Sequence, residues 1–320
     1  MNGIPTTFNE HQINCTILGG REKKSENVLN ISVILLNSSG SHYKLHVFEK
    51  LLETNFKSII SVEHNAENFT DDISKKYPEI KFIIPQENAN DGELINLAIS
   101  EISSEYVLVL RDTLNIDSNF ILPHLAESLT KDKTFCIVPR LFDAFKNGIS
   151  CTFNPSVRKS HFIVESSTAM TDGIKTLYPF DSIALYNREK FIQLGGFDWT
   201  ITSQYWQTLD LALRSWLWGE QTKVTSFLQF SYIKEPPVED HTYNIDYLRY
   251  YLKNELPKIK IEQGYIKKSS FFTFLHHSSC GVLEAFKQFK EARIWVEKNK
   301  FRFKTDLQNL VHNWSKDENK

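Results

Sequence analysis

The sequence has 320 residues, of which 41% are hydrophobic and 24% are charged, a composition typical of a folded globular protein and not of a disordered one. Its 37 basic and 39 acidic residues give a formal net charge of −2, which does not favour nucleic-acid binding as the main task. The four cysteines lack metal-ligand spacing, and the sequence contains neither a signal peptide nor an apolar run of about 18 residues, so we expect a cytoplasmic protein.

Short β-branched runs alternate with segments of helical spacing along most of the chain. The predicted strands are Asn30–Leu36, Ser58–Val62, Ile80–Ile84, Tyr106–Leu110, 135–139, 182–186 and Phe227–Ile233, and the first predicted helices are 43–54, Asp71–Tyr77 and the segment after Asn90. This alternation is typical of an α/β domain with a mostly parallel sheet, here over residues 28–235. Residues 1–27 are predicted to be an N-terminal arm, and residues 236–320 a helical C-terminal region. The interval 140–178 is polar and carries no predicted element.

Polar residues follow several of the predicted strands. Glu63 and His64 come after the second strand, Asn90 after the third, and Arg111 and Asp112 after the fourth. Ligands of open α/β sheets bind outside the carboxyl ends of the strands. We therefore expect these side chains to line one crevice.

The segment 194–220 joins a glycine turn to a helix. Gly195-Gly196 allows a sharp turn that presents Asp198, and helical spacing begins at Leu209. Asp210 and Arg214 lie four residues apart on that helix, close enough to pair or to hold a ligand between them.

In their order and spacing, these motifs resemble the GT-A glycosyltransferases of family two over residues 30 to 250. The segments that carry the resemblance are Ile31–Leu36, Val62–His64, Asn88–Asn96, Leu110–Asp117, Gly195–Asp198 and Leu209–Arg214. The resemblance implies a GT-A nucleotide-sugar-binding fold with a mostly parallel mixed sheet and a helical C-terminal appendage. It also implies inverting transfer of a sugar from a nucleotide-sugar donor to a cell-surface glycan or a lipid-linked precursor, usually with a divalent metal.

The sequence departs from the family at its charged motifs. Glu63 and His64 stand where the family has paired aspartates that hold the nucleotide base. Asp112 is the remaining carboxylate where the family has Asp-x-Asp, so the resemblance implies that dependence on Mn²⁺ or Mg²⁺ is weak or absent. Asp112 and His241 are the candidate metal ligands. Thr208 stands at the position of the family's general base and cannot accept a proton at neutral pH.

Two carboxylates remain as candidate catalytic groups, Asp198 and Asp210. Asp198 is the favoured substitute base, because Asp210 lies two helical residues beyond position 208 and points about 200° away from it. Arg111 is a candidate for replacing the metal's charge on a diphosphate, since guanidinium groups bind phosphate oxygens bidentately. Arg214 is a further candidate contact with the nucleotide sugar.

Each candidate also has a structural interpretation. Asp112 and Asp198 are common types of turn residue, Asp210 and Arg214 can form an ordinary helix ion pair, and Asn96 is expected to support the loop rather than the substrate. At the level of function, the alternative is a catalytically inactive glycosyltransferase-like protein that binds a glycan or a partner glycosyltransferase. The segment 286–314 is rich in aromatic and basic residues. We expect it to pack on its own domain or on a partner, and the second interpretation is contact with an anionic inner membrane surface.

Overall fold

A large mixed sheet forms the centre of the molecule. The computed structural model describes residues 3–21, 28–37, 45–63, 71–159, 161–169, 171–278 and 280–317. The strands of the sheet are β1 Cys15–Gly19, β2 Ile31–Asn37, β3 Ile59–Glu63, β4 Ile80–Pro85, β5 Tyr106–Arg111, β6 Leu114–Asn115, β7 Cys136–Phe142, β10 Ala184–Asn187 and β11 Thr222–Tyr232, and two hairpins stand apart from it, β8 Thr152–Arg158 with β9 His161–Ser167 and β12 Lys258–Lys260 with β13 Gln263–Tyr265. Within the described residues the sheet has the order β1-β4-β3-β2-β5-β10-β7-β11-β6.

The direction of the strands brings several chain ends to one edge. β2, β3, β4 and β5 run parallel to one another, and β7 runs parallel to β11. β10 lies antiparallel between β5 and β7, so the two parallel groups, β2 to β5 and β7 with β11, point the same way. The carboxyl ends of β2, β3, β5 and β11 therefore share an edge, where α/β sheets bind ligands.

Helices cover the sheet and extend beyond it. They are α1 Leu45–Glu53, α2 Asp71–Lys76, α3 Asp91–Ser100, α4 Pro123–Thr130, α5 Arg188–Gln193, α6 Gln204–Leu217, α7 Ile245–Tyr250, α8 Ser270–Ser278, α9 Val282–Asn299 and α10 Leu307–Asp317, with 3₁₀ turns at Phe180–Ser182 and Lys300–Arg302 and a π-helical turn at Tyr251–Glu255. β5 is buried along its whole length and β2 over all but its last residue. Their continuous apolar runs follow from being covered on both faces.

The N-terminal segment is part of the sheet, which differs from the predicted arm. β1 pairs antiparallel with β4, with Cys15 opposite Pro85, and Ile4 and Ile13 are buried. The indole N–H of Trp295 donates to the carbonyl of Pro5 at 3.1 Å. An edge strand of five residues inside a polar segment gives little periodicity, which is why the sequence did not reveal it.

The interval 140–178 also contains structure that was not predicted. The hairpin β8–β9 occupies it, and its outer strand is half-buried or exposed along its length. Helix α6 begins at Gln204, five residues before the predicted Leu209. Residues 204–208 lack the spaced aliphatic side chains that mark a helix in the sequence, although Tyr205 and Trp206 are buried in the core, and this concealed the first turn of the helix.

The C-terminal helices pack on the end of α6. The ring of Trp216 lies edge-on to Trp314 at 4.7 Å, and Trp218 stacks with Trp295 at 5.9 Å between ring centroids. Phe286 and Phe301, by contrast, are 57% and 66% exposed. The aromatic residues of this region thus divide between an inner face on the domain and an outer face in solvent.

Candidate functional site

A charged cluster lies at the carboxyl end of β5. The Nη2 of Arg111 is 2.6 Å from Asp91 Oδ2, and its Nε is 2.7 Å from Asp181 Oδ1. Asp181 also accepts hydrogen bonds from Gln204 at 2.6 Å and from the Tyr232 hydroxyl at 2.9 Å. Burial alone would lower the pKa of Arg111, but the two carboxylates outweigh it and raise that pKa. Arg111 is thus a permanent cation held by two acids.

The turn that presents Asp181 has an unusual backbone. Asp181 has φ 55° and Ser182 has φ 60°, a left-handed conformation that costs energy for residues other than glycine. Contacts on both sides hold it: Arg111 Nε donates to the Asp181 carbonyl at 3.1 Å, and the hydroxyls of Ser182 and Thr208 are 2.9 Å apart. Burial raises the pKa of Asp181, whereas Arg111, Gln204 and Tyr232 favour its carboxylate form. Such conformations concentrate at functional sites.

The neighbouring ends of β2 and β3 carry a second polar group of residues. Asn37 and Glu63 are paired in the parallel register, and Asn37 Nδ2 donates to Glu63 Oε1 at 2.7 Å. The Ser61 hydroxyl donates to the same oxygen at 2.8 Å. Asp112 is buried, and its backbone N–H donates to the Leu36 carbonyl at 3.1 Å. Glu63 and Asp112 therefore lie at the expected edge of the sheet, while His64 falls outside the described residues.

The two candidate catalytic carboxylates meet in a buried ion network. Lys253 Nζ is 2.8 Å from Asp198 Oδ2 and 2.8 Å from Asp210 Oδ2, and the side chains of all three are 0% exposed. Arg214 Nη1 is 3.1 Å from Asp210 Oδ2, and Asn254 donates to Asp210 Oδ1 at 2.7 Å. The π-helical turn aims Lys253 and Asn254 together at Asp210. These contacts give Asp198, Asp210 and Arg214 a role in joining the glycine turn, α6 and the C-terminal region.

Nearby cations balance the charge of the carboxylates in this network. Burial alone would raise the pKa of Asp198, but Lys253 and Arg249 outweigh it and lower that pKa. Thr200 adds hydrogen bonds to Asp198 Oδ1 from its backbone N–H at 2.9 Å and from its hydroxyl at 2.5 Å. A general base must reach a substrate hydroxyl. In this structure the Asp198 carboxylate is instead surrounded by protein donors.

Amide side chains fix the loop before α6. Asn96 binds both backbone groups of Phe197, accepting at 3.0 Å and donating at 2.9 Å, and so holds this loop. Asn90 caps α3 and donates to the Trp199 carbonyl at 3.2 Å. Gln207 accepts from the Gly92 N–H at 3.0 Å and donates to Asn90 Oδ1 at 2.8 Å. A Cβ at Gly92 would lie 2.3 Å from the end of the Gln207 side chain, so a larger residue there would displace the Gln207 amide from these hydrogen bonds.

Two cavities adjoin each other beside these elements. The first has a volume of about 120 Å³ and is lined by Phe180, Asp181, Ser203, Gln204, Tyr205, Thr208, Pro237, Val238, Glu239 and Asp240. The second, about 210 Å³, is lined by Phe162, Ile163, Val164, Tyr205, Trp206, Leu209, His241, Tyr243, Tyr247 and Glu255. Tyr205 borders both. We call the first the polar cavity and the second the aromatic slot.

His241 and Glu239 lie between the two cavities. The imidazole of His241 stacks on Tyr205 with 4.0 Å between ring centroids, and burial lowers its pKa against the opposing effect of Asp240. Its Nε2 is 3.5 Å from Glu239 Oε2. Within the described ranges, no group of three or more His, Cys, Asp or Glu side chains is arranged to hold a metal ion. The described side chains thus do not form a complete site for the implied Mn²⁺ or Mg²⁺.

Three residues of the site went unnoticed in the sequence: Asp181, Glu239 and Lys253. Each lies in a segment without a motif, and each gains its importance from partners far along the chain. Glu239 offered one weak signal, since it follows Pro236-Pro237 in the loop after β11, where a turn at the carboxyl edge is expected.

Comparisons with solved structures agree with this architecture. No protein-family model matches the sequence, and no curated protein matches it. GalNAc-T7, solved with UDP, GalNAc and Mn²⁺, aligns with a TM-score of 0.59 and 11% identity over 94% of this chain and 60% of that one. This chain therefore spans less than two thirds of the length of GalNAc-T7. Residues 1–349 of S. aureus TarS, in complex with UDP-GlcNAc, align with a TM-score of 0.51 and 12% identity over 82% of this chain and 71% of that one.

Within the described residues, no helix combines the length and apolarity needed to cross a bilayer. The large mixed sheet with its C-terminal helices matches the architecture of those two structures. The chain has the GT-A glycosyltransferase fold.

Proposed function

We propose that this protein transfers a sugar from a nucleotide-sugar donor to a cell-surface glycan or its precursor. The observation that carries the proposal is the pair of adjoining cavities at one edge of the GT-A fold, one polar and one aromatic. Both structural neighbours were solved with a uridine nucleotide, which suggests the class of donor. Concave sites with apolar walls and a few placed polar groups are the usual form of small-molecule sites.

On the donor side, the nucleotide would lie along the carboxyl ends of β2, β3 and β5. Glu63 would accept a hydrogen bond from the nucleoside, and Asp112 would lie near the diphosphate. Arg111 already pairs with Asp91 and Asp181, so its proposed task is to position Asp181 rather than to neutralise phosphate alone. A divalent ion, where one binds, would supply charge neutralisation to the diphosphate.

On the acceptor side, the aromatic slot would receive the glycan. Its ring surfaces come from Tyr205, Trp206 and Tyr247, and the carboxyl of Glu255 lies among them. Aromatic rings present flat apolar faces that suit the C–H faces of sugar rings, and tyrosine and tryptophan add polar tips for hydroxyl groups. A sugar bound there would have its hydroxyls directed toward the polar cavity through the shared Tyr205.

Calorimetric titration with a panel of nucleoside diphosphates and their sugars, with and without Mn²⁺, tests the proposal. We expect binding of at least one nucleotide at or below millimolar concentration. The absence of binding by every nucleotide and nucleotide sugar at that concentration would rule out the transferase.

A catalytically silent binding protein is the second candidate. One observation favours it: Asp198 and Asp210 are buried in an ion network. In addition, Thr208 stands at the position of the family's general base. Retained glycan or nucleotide binding without turnover of any donor would support this candidate over the transferase.

The outer face of the C-terminal helices is a proposed contact with an anionic bilayer. Phe272, Leu283 and Phe286 are 73%, 88% and 57% exposed, and exposed Lys267, Lys268 and Lys287 lie in the same helices or beside them. Apolar side chains flanked by lysines match the chemistry of an anionic headgroup layer. Co-sedimentation with phosphatidylglycerol vesicles but not with phosphatidylcholine vesicles is the expected result, and equal recovery with both would contradict it.

A further inference from the structure

Transfer to a hydroxyl group requires a proton acceptor within hydrogen-bond reach. Several carboxylates near the cavities are already committed to cations. Asp198 and Asp210 are bound to Lys253, and Asp91 and Asp181 are bound to Arg111. Asp181 and Glu239 both line the polar cavity. Of these two residues, Glu239 has no arginine or lysine partner among the described residues.

Glu239 is held in place without being enclosed. The Tyr178 hydroxyl donates to its Oε2 at 2.7 Å, and Tyr178 is itself buried and stacked on Phe153 at 4.3 Å. The His241 contact at 3.5 Å involves the same oxygen. Oε1 accepts no hydrogen bond from the part of the chain that the structure describes, and the side chain is 19% exposed. One oxygen therefore orients the carboxyl group, and the other is available to a hydroxyl in the cavity.

We propose that Glu239 is the general base of the transfer reaction, a role that rests on the proposed function. Its carboxylate takes the proton of the acceptor hydroxyl while the acceptor oxygen forms a bond to the anomeric carbon. The bond between that carbon and the diphosphate oxygen breaks, and the nucleoside diphosphate leaves with the electron pair. When no acceptor is bound, water in the polar cavity takes the place of the hydroxyl, and the donor is hydrolysed.

Donor hydrolysis gives a test that needs no knowledge of the acceptor. The full-length protein and its E239Q variant are compared for release of nucleoside diphosphate from the nucleotide sugar that binds best in calorimetry. The glutamine keeps an oxygen for the Tyr178 hydroxyl but cannot accept a proton. E235Q, an exposed position on the same loop, is the matched control.

We expect E239Q to reduce the hydrolysis rate by about 10² to 10⁴ at an unchanged dissociation constant for the nucleotide. E235Q should behave like the wild type in both measurements.

The outcomes separate the two proposals. A wild-type protein that binds the nucleotide sugar but hydrolyses it no faster than E239Q overturns the base assignment and leaves nucleotide binding intact. The same holds if E239Q loses nucleotide affinity in place of rate, which would make Glu239 a structural residue. Failure of the wild type to bind any nucleotide sugar overturns the proposed function itself.

Discussion

Two pairs of carboxylates lie in opposite environments: Asp198 and Asp210 in the buried ion network, and Glu239 and Glu255 at the two cavities. In the network, Asp198 and Asp210 are 0% exposed and share the ammonium group of Lys253, and cations lower the pKa of Asp198. At the cavities, Glu239 and Glu255 lack a lysine or arginine contact in the described chain, and burial raises their pKa values to about 7 and about 8.

The comparison separates residues that hold the fold from residues that are available for chemistry. Asp198 and Asp210 belong to the motifs that carried the family resemblance, yet their oxygens are occupied by protein donors. Glu239 belongs to no motif, yet it faces a cavity. In the proposed mechanism, the motif residues Asp198 and Asp210 would build the ion network, and Glu239 would carry the chemistry.

Removing the cation of the network should have the largest effect. Lys253→Met keeps the length of the side chain but leaves two carboxylates buried without their shared partner, which is expected to cost about 3 to 5 kcal/mol of unfolding free energy. Urea unfolding followed by circular dichroism measures this loss.

Lys300→Met is the matched control for that experiment. Lys300 is 28% exposed and pairs with Glu297 three residues away on the helix surface, so we expect a loss of no more than about 0.5 kcal/mol. Equal effects of the two substitutions would show that the buried network does not differ energetically from a surface pair.

Asp198→Asn should have a smaller effect, since Lys253 keeps its contact with Asp210. We expect a loss of about 1 to 3 kcal/mol, because the buried ammonium group loses one charged acceptor. Glu239→Gln should show the reverse profile, with little change in unfolding and a large change in donor hydrolysis. An Asp198→Asn protein of normal stability that has lost all turnover would instead support the substitute base that the sequence suggested.

The fold was largely predictable because its signals are local. β2 and β5 are continuous apolar runs, and a buried parallel strand requires such a run regardless of what packs on it. β1 and the β8–β9 hairpin were missed because edge strands and partly exposed hairpins need little hydrophobic periodicity. The carboxyl-edge positions of Glu63 and Asp112 followed from the strands themselves.

The site was less predictable because its contacts are distant in sequence. Lys253 lies 55 residues from Asp198 and 43 from Asp210, and Asp181 lies 70 from Arg111. No pattern of spacing joins such partners, and their ion pairs exist only once the sheet has formed. The charge of Arg111 was visible in the sequence, but the two acids that neutralise it were not.

The smallest expected effect concerns pH, where the two environments should respond with opposite sign. The folded-state pKa of Asp198 is lowered, so its contribution to stability is present at neutral pH and is lost as pH falls through that pKa. The folded-state pKa of Glu255 is raised to about 8 from an unfolded value of about 4.3, so its contribution is complete only below about pH 4 and is lost as pH rises through about 8. Because the aromatic slot admits water, we expect Glu255→Gln to be more stable than the wild type by only about 1 kcal/mol at pH 9, with no such advantage at pH 4. Unfolding free energies of both proteins across that range measure the difference. A constant difference at every pH would mean that Glu255 ionises normally in the folded protein, and the contrast between slot and network would then rest on geometry alone.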